Sequence, residues 1–453
     1  MHILRVEVEK LIQKLKASVA VTLVLILSMT SVFASPDHTY AATVDVGAKS
    51  AILIDADTGK VLFEKEADLT LPPASMTKMM TEYLILEAIE EGTISWDTTT
   101  QISQYAYDIS ANPNFSGVGL KQNQDYTVRE LYKAMAINSD NATTIALAEL
   151  LAGTEGEFVK MMNEKAAEME LPDYEFVNST GLNNSHLGDN FPEGTAPDAT
   201  NLMSARSSAL LAYHLTNDYP EALDYSSMPT AEFDGQTITN WNWMLPGMPG
   251  QLAQFSYEGV DGLKTGYTEL AGNCFTGTAE QNGQRLIAVV MKSETRETRF
   301  QQTGKLFDYG FQQFEKQELF QAGYQQEEQK DMPVAKGKED RVQVETSEAL
   351  QTLVKNGEEE QYTVQYNISE DQLDEEGNLV APVKKGQKIG TAELVYNGED
   401  DYGNLLASNP NTVDLVTTSA VEKSNWFMLM LGNIGEFFSD IFTGAVDMVK
   451  GWF

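Results

Sequence analysis

The chain of 453 residues has a single cysteine, Cys274, and only four histidines. One cysteine cannot form an intramolecular disulfide, so packing alone must stabilise the fold. Cys274 lies in a strand-like run between Asn273 and Phe275, which favours a small buried apolar residue over a reactive thiol. The scarcity of histidine disfavours sites that depend on this residue, namely zinc sites and Ser-His-Asp triads. We therefore expect an enzyme or binding protein without a metal or other cofactor.

Basic residues are also scarce. The chain has 31 Lys and Arg against 67 Asp and Glu, a formal net charge of −36. Long-range attraction to a nucleic acid or to an anionic membrane is therefore excluded, since both require positive charge. Salt screens the self-repulsion of such a chain, which suggests a saline environment.

Long uncharged runs are rare, and the clearest one lies near the N-terminus. Basic residues up to Lys16 precede an uncharged segment, 17–36, in which Val32-Phe33-Ala34 resembles a cleavage site. We predict an export signal over residues 1–34. An uncleaved membrane anchor is the alternative, because the run is long enough for one. Either way, we expect the remaining chain to lie outside the cytoplasm.

The C-terminal segment, 424–453, has the pattern of an amphipathic helix. At about 100° per residue its large apolar side chains share one face, while Glu436, Asp440, Asp447 and Lys450 lie opposite. The charges interrupt the run too often for a membrane-spanning helix. We predict a helix that lies in a membrane interface, with docking on its own domain or on a partner as the alternative.

The length and the pattern of apolar residues predict two domains. Residues 43–315 form the first, with an antiparallel sheet from the hairpin 49–66 and strands at 260–266, 274–279 and 286–292. Helices are expected from Ser75 to Gly92 and over 127–137, 142–151, 155–170, 201–216 and 297–314, and a loop-rich stretch over 93–126. The predicted fold class is α/β (α+β), with helices packed on the antiparallel sheet.

Residues 316–420 differ from the preceding domain in their predicted secondary structure. Short strands at 341–345, 362–368, 388–396 and 412–417 alternate with turns, and residues 325–331, rich in Gln, Glu and Lys, are interpreted as a linker. This part is predicted to be a small all-β domain without a catalytic set.

Ser75 and Lys78 form the candidate nucleophile and base. Two prolines precede a helical pattern, so Ser75 is expected in its first turn and Lys78 one turn later on the same face. A serine hydroxyl becomes a strong nucleophile when a base removes its proton, and a neutral lysine can act as that base. A helix cap beside a solvated lysine is the alternative, although no other serine in the chain precedes a lysine by three residues.

Two further motifs supply polar groups. Ser139-Asp140-Asn141 falls at the junction of two predicted helices, whereas the similar Ser110-Ala111-Asn112 is expected in a polar loop. A helix cap is the competing interpretation of Ser139. Lys264-Thr265-Gly266 lies on a predicted strand, where a cation and a hydroxyl can hold an anionic group, and glycine permits close approach of the backbone.

The motifs Ser-x-x-Lys, Ser-x-Asn and Lys-Thr-Gly, in this order, are those of β-lactamases and penicillin-binding proteins. From about residue 43 to its end, the chain resembles the low-molecular-mass penicillin-binding proteins, the serine-type D-alanyl-D-alanine carboxypeptidases of peptidase family S11. The resemblance includes Phe176-Val-Asn-Ser-Thr-Gly-Leu182 and Lys385-Gly-Gln-Lys-Ile-Gly390. It implies a transpeptidase-like fold shared with serine β-lactamases, followed by a small β domain and an amphipathic anchor.

The resemblance also implies a role for each motif residue. Ser75 forms an acyl-enzyme with a stem peptide ending in D-Ala-D-Ala, or with a β-lactam, and Lys78 accepts its proton. Ser139 and Asn141 relay protons and hold the substrate amide. Lys264, Thr265 and Gly266 surround the terminal carboxylate, the backbone N–H groups of Ser75 and Tyr267 form the oxyanion hole, and Arg299 or Arg296 assists with the carboxylate.

Other functions compete with this one. An endopeptidase or transpeptidase of the same family would use the same acyl-enzyme. A class A β-lactamase shares the motifs, but no Glu-x-x-Leu-Asn occurs between residues 155 and 205. A metal-dependent carboxypeptidase is disfavoured because no Glu-x-x-His exists. A catalytically silent wall-associated scaffold would have no need of a neutral lysine beside the serine.

Overall fold

The computed structural model describes residues 44–398, 401–406 and 412–424. The predicted export signal and, apart from its first residue, the predicted amphipathic helix lie outside these ranges. Within the described ranges, the helices are too short or too polar to cross a bilayer.

The helices and strands of the described chain are numbered in chain order. The α-helices are α1 (Lys78–Glu90), α2 (Gln104–Ser110), α3 (Val128–Asn138), α4 (Asn141–Ala152), α5 (Glu155–Glu168), α6 (Ala205–Asp218), α7 (Ala222–Ser226) and α8 (Arg296–Gln313). The first strands are β1 (Ser50–Asp55), β2 (Val61–Lys65), β3 (Thr99–Gln101), β4 (Asp125–Thr127), β5 (Tyr174–Glu175), β6 (Leu202–Met203), β7 (Thr230–Phe233), β8 (Gln236–Thr239), β9 (Val260–Thr268), β10 (Gly272–Gln281) and β11 (Gln284–Ser293). The later strands are β12 (Phe314–Phe320), β13 (Asp331–Ala335), β14 (Arg341–Thr346), β15 (Leu350–Lys355), β16 (Tyr362–Ile368), β17 (Leu379–Val380), β18 (Lys388–Tyr396) and β19 (Thr412–Thr417).

A five-stranded antiparallel sheet in the order β2-β1-β11-β10-β9 is the base of the first part. It confirms the predicted sheet, in which strands from the start of the domain pair with strands from its end. Asn282 and Gly283, both at positive φ, form the two-residue turn between β10 and β11. Strand β9 is at the edge, so one of its sides is available to a neighbouring element or a ligand.

Helices pack on this sheet and enclose α1. Most residues of α1 are buried, including Lys78 and Glu82. The predicted helices near 127–137, 142–151, 155–170 and 297–314 are confirmed, and Thr127 forms a capping box with Glu130 at the start of α3. The α/β fold with an antiparallel sheet and flanking helices is thus the predicted one.

Two expectations for the first part were wrong. The stretch 93–126 contains helix α2, and Ser110 is its last residue rather than part of a polar loop. Only Ala106 and Ile109 of α2 are buried, so the helix has almost no apolar periodicity that the sequence could reveal. The segment 201–216 begins as strand β6, and its helix starts only after Ser204, whose hydroxyl accepts a hydrogen bond from the Ser207 N–H.

The second part is all-β, as predicted. Strands β16, β18, β19, β14, β13 and β17 form a six-stranded sheet, and β12 pairs with β15. Its apolar core includes Val344, Ile389 and Leu415. The linker interpretation of 325–331 was wrong. Strand β12 already belongs to this part, and Gln326 N–H donates to the Tyr366 hydroxyl, so the polar segment is a surface connection within the domain.

The two parts are joined by main-chain and side-chain contacts. Val61 N–H donates to Gly403 O at 3.0 Å, and Leu405 N–H donates to Gly59 O at 2.9 Å. Lys60 Nζ donates to Leu353 O at 2.9 Å and to the Tyr362 hydroxyl. A turn of the first part is therefore clamped by the second.

Candidate active site

Ser75 lies in a 3₁₀ turn, Ala74–Thr77, that runs directly into α1. Lys78 Nζ lies 3.1 Å from Ser75 Oγ. The prediction that the two residues share one face at a helix entrance is therefore confirmed, although the first turn is 3₁₀ rather than α. Ala74 has φ of 50°, a left-handed conformation that a non-glycine residue adopts at an energetic cost.

Lys78 is fully buried, and its amine has a complete set of partners. Nζ donates to Asn141 Oδ1 and to Thr180 O, both at 2.8 Å. Burial lowers the pKa of Lys78 well below its usual range, and the nearby charge of Lys264 lowers it further. A neutral amine has two N–H groups and one lone pair. Because two acceptors occupy the N–H groups, the lone pair is left for the Ser75 hydroxyl.

Ser139 connects α3 to α4 with φ of 60° and ψ of 32°, the left-handed conformation common at helix ends. Lys264 Nζ, from the edge strand β9, donates to Ser139 Oγ at 2.7 Å and to Thr265 O at 3.3 Å. Burial lowers the pKa of Lys264 as well, with a further decrease from Arg299 and an opposing increase from Glu82. The Ser139 hydroxyl is thus in direct contact with Lys264, the second buried amine.

Asn141 and Asp140 fix the turn around Ser139. Asn141 Nδ2 donates to Ser116 O at 3.2 Å, and Asp140 Oδ2 accepts from Val118 N–H at 2.5 Å. Asp140 is also the N-cap of α4, since Oδ1 accepts from Thr143 N–H at 2.6 Å. The loop after α2 is therefore tied to the Ser-Asp-Asn turn from two sides.

Two glycines allow the surrounding segments to reach the Ser75 turn. A Cβ at Gly266 would lie 2.3 Å from Pro73 O, and one at Gly181 would lie 1.9 Å from Ala74 O. Neither distance is possible for a real side chain, so only glycine permits this packing. Strand β9 and the Ser179-Thr180-Gly181 segment therefore both pack directly against the turn that contains Ser75.

Arg299 and Arg296 lie behind and beside the edge strand. Arg299 is buried, and Nη1 donates to Gly266 O at 3.2 Å and to Cys274 O at 3.3 Å. Burial lowers its pKa to about 9, so the guanidinium is still charged at neutral pH. Arg296 lies between the rings of Trp241 and Tyr267, at 5.4 and 5.5 Å from their centroids. Cys274 is buried, as expected.

These groups converge on one cavity of about 220 Å³. Its lining includes seven of the nine predicted site residues, namely Ser75, Ser139, Asn141, Thr265, Gly266, Tyr267 and Arg299. Lys78 and Lys264 are buried beneath it and reach it through their contacts with Ser75 and Ser139. The alternative of a surface helix cap with a solvated lysine is thereby excluded.

Sequence reasoning missed several groups of this site. Glu155 is buried and accepts from Ser179 N–H at 2.9 Å and from the Tyr105 hydroxyl at 2.9 Å, which positions the segment whose Thr180 O holds Lys78. Glu82 accepts from the Tyr132 hydroxyl at 3.5 Å. Burial raises the pKa of Glu82, Asp140 and Glu155. No local pattern distinguishes Glu155 from an ordinary acidic residue in a first helical turn.

Comparison with known proteins assigns the family. A model of the family described as D-alanyl-D-alanine carboxypeptidase matches residues 37–295, and the penicillin-binding protein 5 C-terminal domain matches residues 314–423. The D-alanyl-D-alanine carboxypeptidase DacF of Bacillus subtilis is 34% identical over 403 residues, covering 88% of this chain and 93% of that protein.

Two solved structures support the same assignment. A peptidoglycan synthesis regulatory factor (PBP3) from Streptococcus pneumoniae is 35% identical with a TM-score of 0.68, covering 83% of this chain and 100% of the other. Penicillin-binding protein D2 from Listeria monocytogenes, in its ampicillin-bound form, is 31% identical with a TM-score of 0.50, covering 59% of this chain and 99% of the other. With the family's catalytic and C-terminal regions both matched, the chain belongs to the D-alanyl-D-alanine carboxypeptidases.

Proposed function

We propose that the chain is a serine-type D-alanyl-D-alanine carboxypeptidase that removes the terminal D-alanine from peptidoglycan stem pentapeptides through an acyl-enzyme on Ser75. The observation that carries the proposal is the buried Lys78 amine, which has acceptors for two N–H groups and lies 3.1 Å from Ser75 Oγ. A lysine in this state is a general base, because its lone pair can take the hydroxyl proton. A silent scaffold has no physical need for such an arrangement.

Acylation follows from these contacts. Ser75 Oγ attacks the carbonyl carbon of the terminal D-Ala-D-Ala bond while its proton passes to Lys78. That proton then passes from Lys78 through the Ser139 hydroxyl, which accepts from Lys264 at 2.7 Å, to the departing nitrogen, so that D-alanine leaves as a neutral amine and Lys78 is neutral again. Asn141 holds the substrate amide and keeps Lys78 in place. A water then attacks the ester carbonyl and loses its proton to Lys78, which passes it to Ser75 Oγ as the shortened peptide leaves.

The positive side of the cavity selects the substrate. Arg299 in the cavity lining and Lys264 beneath it supply positive charge for the terminal carboxylate, beside Thr265 and Gly266. A fixed cation in a largely buried site attracts a carboxylate more strongly than one in water would. The backbone N–H groups of Ser75 and Tyr267 are the donors for the developing oxyanion, and Arg296 assists at the cavity edge.

The same groups accommodate β-lactams as inhibitors. The ampicillin-bound relative from Listeria monocytogenes supports this part of the proposal. A β-lactam presents a carbonyl and a carboxylate to the site, and acylation of Ser75 leaves no small amine to depart. The acyl-enzyme is therefore expected to persist.

Location and domain organisation are part of the proposal. Residues 1–34 direct the export of the enzyme, which acts outside the cytoplasm. Its catalytic domain spans residues 43–315 and its β domain spans residues 316–420. Residues 424–453 hold it at the outer face of the membrane. The partners are the stem peptide and the membrane surface, with no nucleic acid. The acidic charge opposes attraction to anionic lipids, so anchoring would have to rest on apolar burial alone.

Two assays test the proposed activity. Labelled penicillin should acylate the protein at Ser75, and Ser75→Ala should abolish labelling without altering the fold. Incubation with a pentapeptide should release free D-alanine. A cross-linked product instead would favour the transpeptidase, and cleavage of cross-linked peptides in preference to the pentapeptide would favour the endopeptidase. Label on a different residue would refute the assignment of the nucleophile.

A further inference from the structure

A second, larger cavity adjoins the proposed active site. It has a volume of about 830 Å³, and Phe115 and Trp241 line both this groove and the smaller cavity that contains Ser75. Its walls are the loop after α2, the strand β8 and the 3₁₀ turn Gly250–Phe255. A ligand in the groove would therefore be continuous with a ligand in the active site.

The groove is uncharged. Among the described residues that line it there is no Asp, Glu, Lys or Arg, although charged residues make up 22% of the chain. Its polar groups are amides and hydroxyls, including Asn112, Gln236 and Thr237. An ionised peptide would leave its charges without partners here, whereas a neutral ligand rich in hydroxyl and amide groups would find matching donors and acceptors.

Two tryptophans line the same groove. Trp241 is fixed, because its Nε1 donates to Asn138 O at 2.9 Å and Arg296 lies over its ring. Trp243 is supported by Phe255 and Phe300, with centroids at 5.4 Å from its own. Rigid aromatic rings beside neutral amides suit sugars, whose rings have apolar faces edged by hydroxyl groups.

We propose that this groove binds the neutral N-acetylated sugars to which the stem peptide is attached. The inference rests on the proposed function, since the sugars enter as part of the same substrate. The cationic cavity holds the peptide terminus and the neutral groove holds the glycan. The enzyme accordingly prefers peptides that are still attached to sugar over free peptides.

The test compares two substrates with the same pentapeptide, one free and one attached to the N-acetylated disaccharide. The wild-type kcat/KM for D-alanine release should be about tenfold higher for the disaccharide substrate than for the free peptide. The difference should come from a lower KM, with kcat unchanged. Thr237→Trp fills the exposed end of the groove and should remove this preference, with penicillin acylation and hydrolysis of the free peptide within about twofold of wild type. Gln254→Trp is the matched control, because Gln254 is exposed on the neighbouring 3₁₀ turn and does not line the groove.

Tryptophan fluorescence provides an independent measurement. A neutral N-acetylglucosamine oligomer should change the fluorescence of the wild type and of the Gln254→Trp protein, but not of Thr237→Trp. Equal kcat/KM for the two substrates in the wild type, together with no fluorescence change, would overturn the inference. Failure to release D-alanine from either substrate would refute the proposed function, while the sugar titration would still decide whether the groove binds sugar.

Discussion

Replacing Gly266 with alanine tests the claim that the edge strand must touch the Ser75 turn. The new Cβ would lie 2.3 Å from Pro73 O, and 3.3 Å from both Ala74 Cβ and Met76 Cγ. The first distance is roughly 1 Å too short for a carbon–oxygen contact, so the strand or the turn has to move by about that much. A displacement of about 1 Å in a catalytic site costs on the order of 100-fold in rate. We expect the penicillin acylation rate to fall by this factor.

Gly390 offers a matched control. In the β domain, a Cβ at Gly390 would lie 2.2 Å from Asn367 O, so alanine there creates nearly the same overlap with a main-chain carbonyl. Both variants should lower the free energy of unfolding by about 1–3 kcal/mol, as overpacking does. Stopped-flow acylation and urea denaturation measure the two effects. Normal acylation by Gly266→Ala, or an equal loss of acylation by Gly390→Ala, would refute the reasoning.

Three further predictions address the base, the domain contact and the anchor. Because the lowered pKa of Lys78 depends partly on Lys264, acylation should fall towards acid pH as Lys78 becomes protonated. Lys264→Gln should move that decline to higher pH in addition to slowing the reaction, and an unmoved decline in a pH series would contradict the coupling. Lys60→Ala removes a donor to Leu353 O and should cost about 1–3 kcal/mol in urea denaturation with acylation unchanged, so unaltered stability would refute its role as a clamp. Deleting residues 424–453 should release an active enzyme into the soluble fraction, and a truncated protein that still sediments with membranes would disprove the anchor.

The site could be predicted well from the sequence where its groups are close together in the chain. Ser75 and Lys78 share a helical turn, so their spacing alone predicted their contact at 3.1 Å. The order of the motifs then predicted Ser139, Asn141 and the Lys264 strand as further parts of the site. The strongly periodic strands and helices of the first part were predictable for the same local reason.

The groups that tune the site were less predictable because they act from distant segments. Glu155 accepts from Ser179, which precedes the Thr180 whose carbonyl holds Lys78, and Lys264 comes from the edge strand β9 and donates to Ser139. Helix α2 was missed because it buries only two residues, and the segment 325–331 resembled a linker although it folds within the β domain. Composition and periodicity contain little information about such contacts.

By itself, the sequence predicted the fold class, the contact between Ser75 and Lys78, and the family to which the chain belongs. Only the tertiary structure decided that Lys78 is buried among two acceptors and a second amine, and that a neutral groove adjoins the cationic cavity. The physical reason is that a pKa depends on desolvation and on charges from the whole surrounding fold, and that a groove exists only between segments that are far apart in the chain.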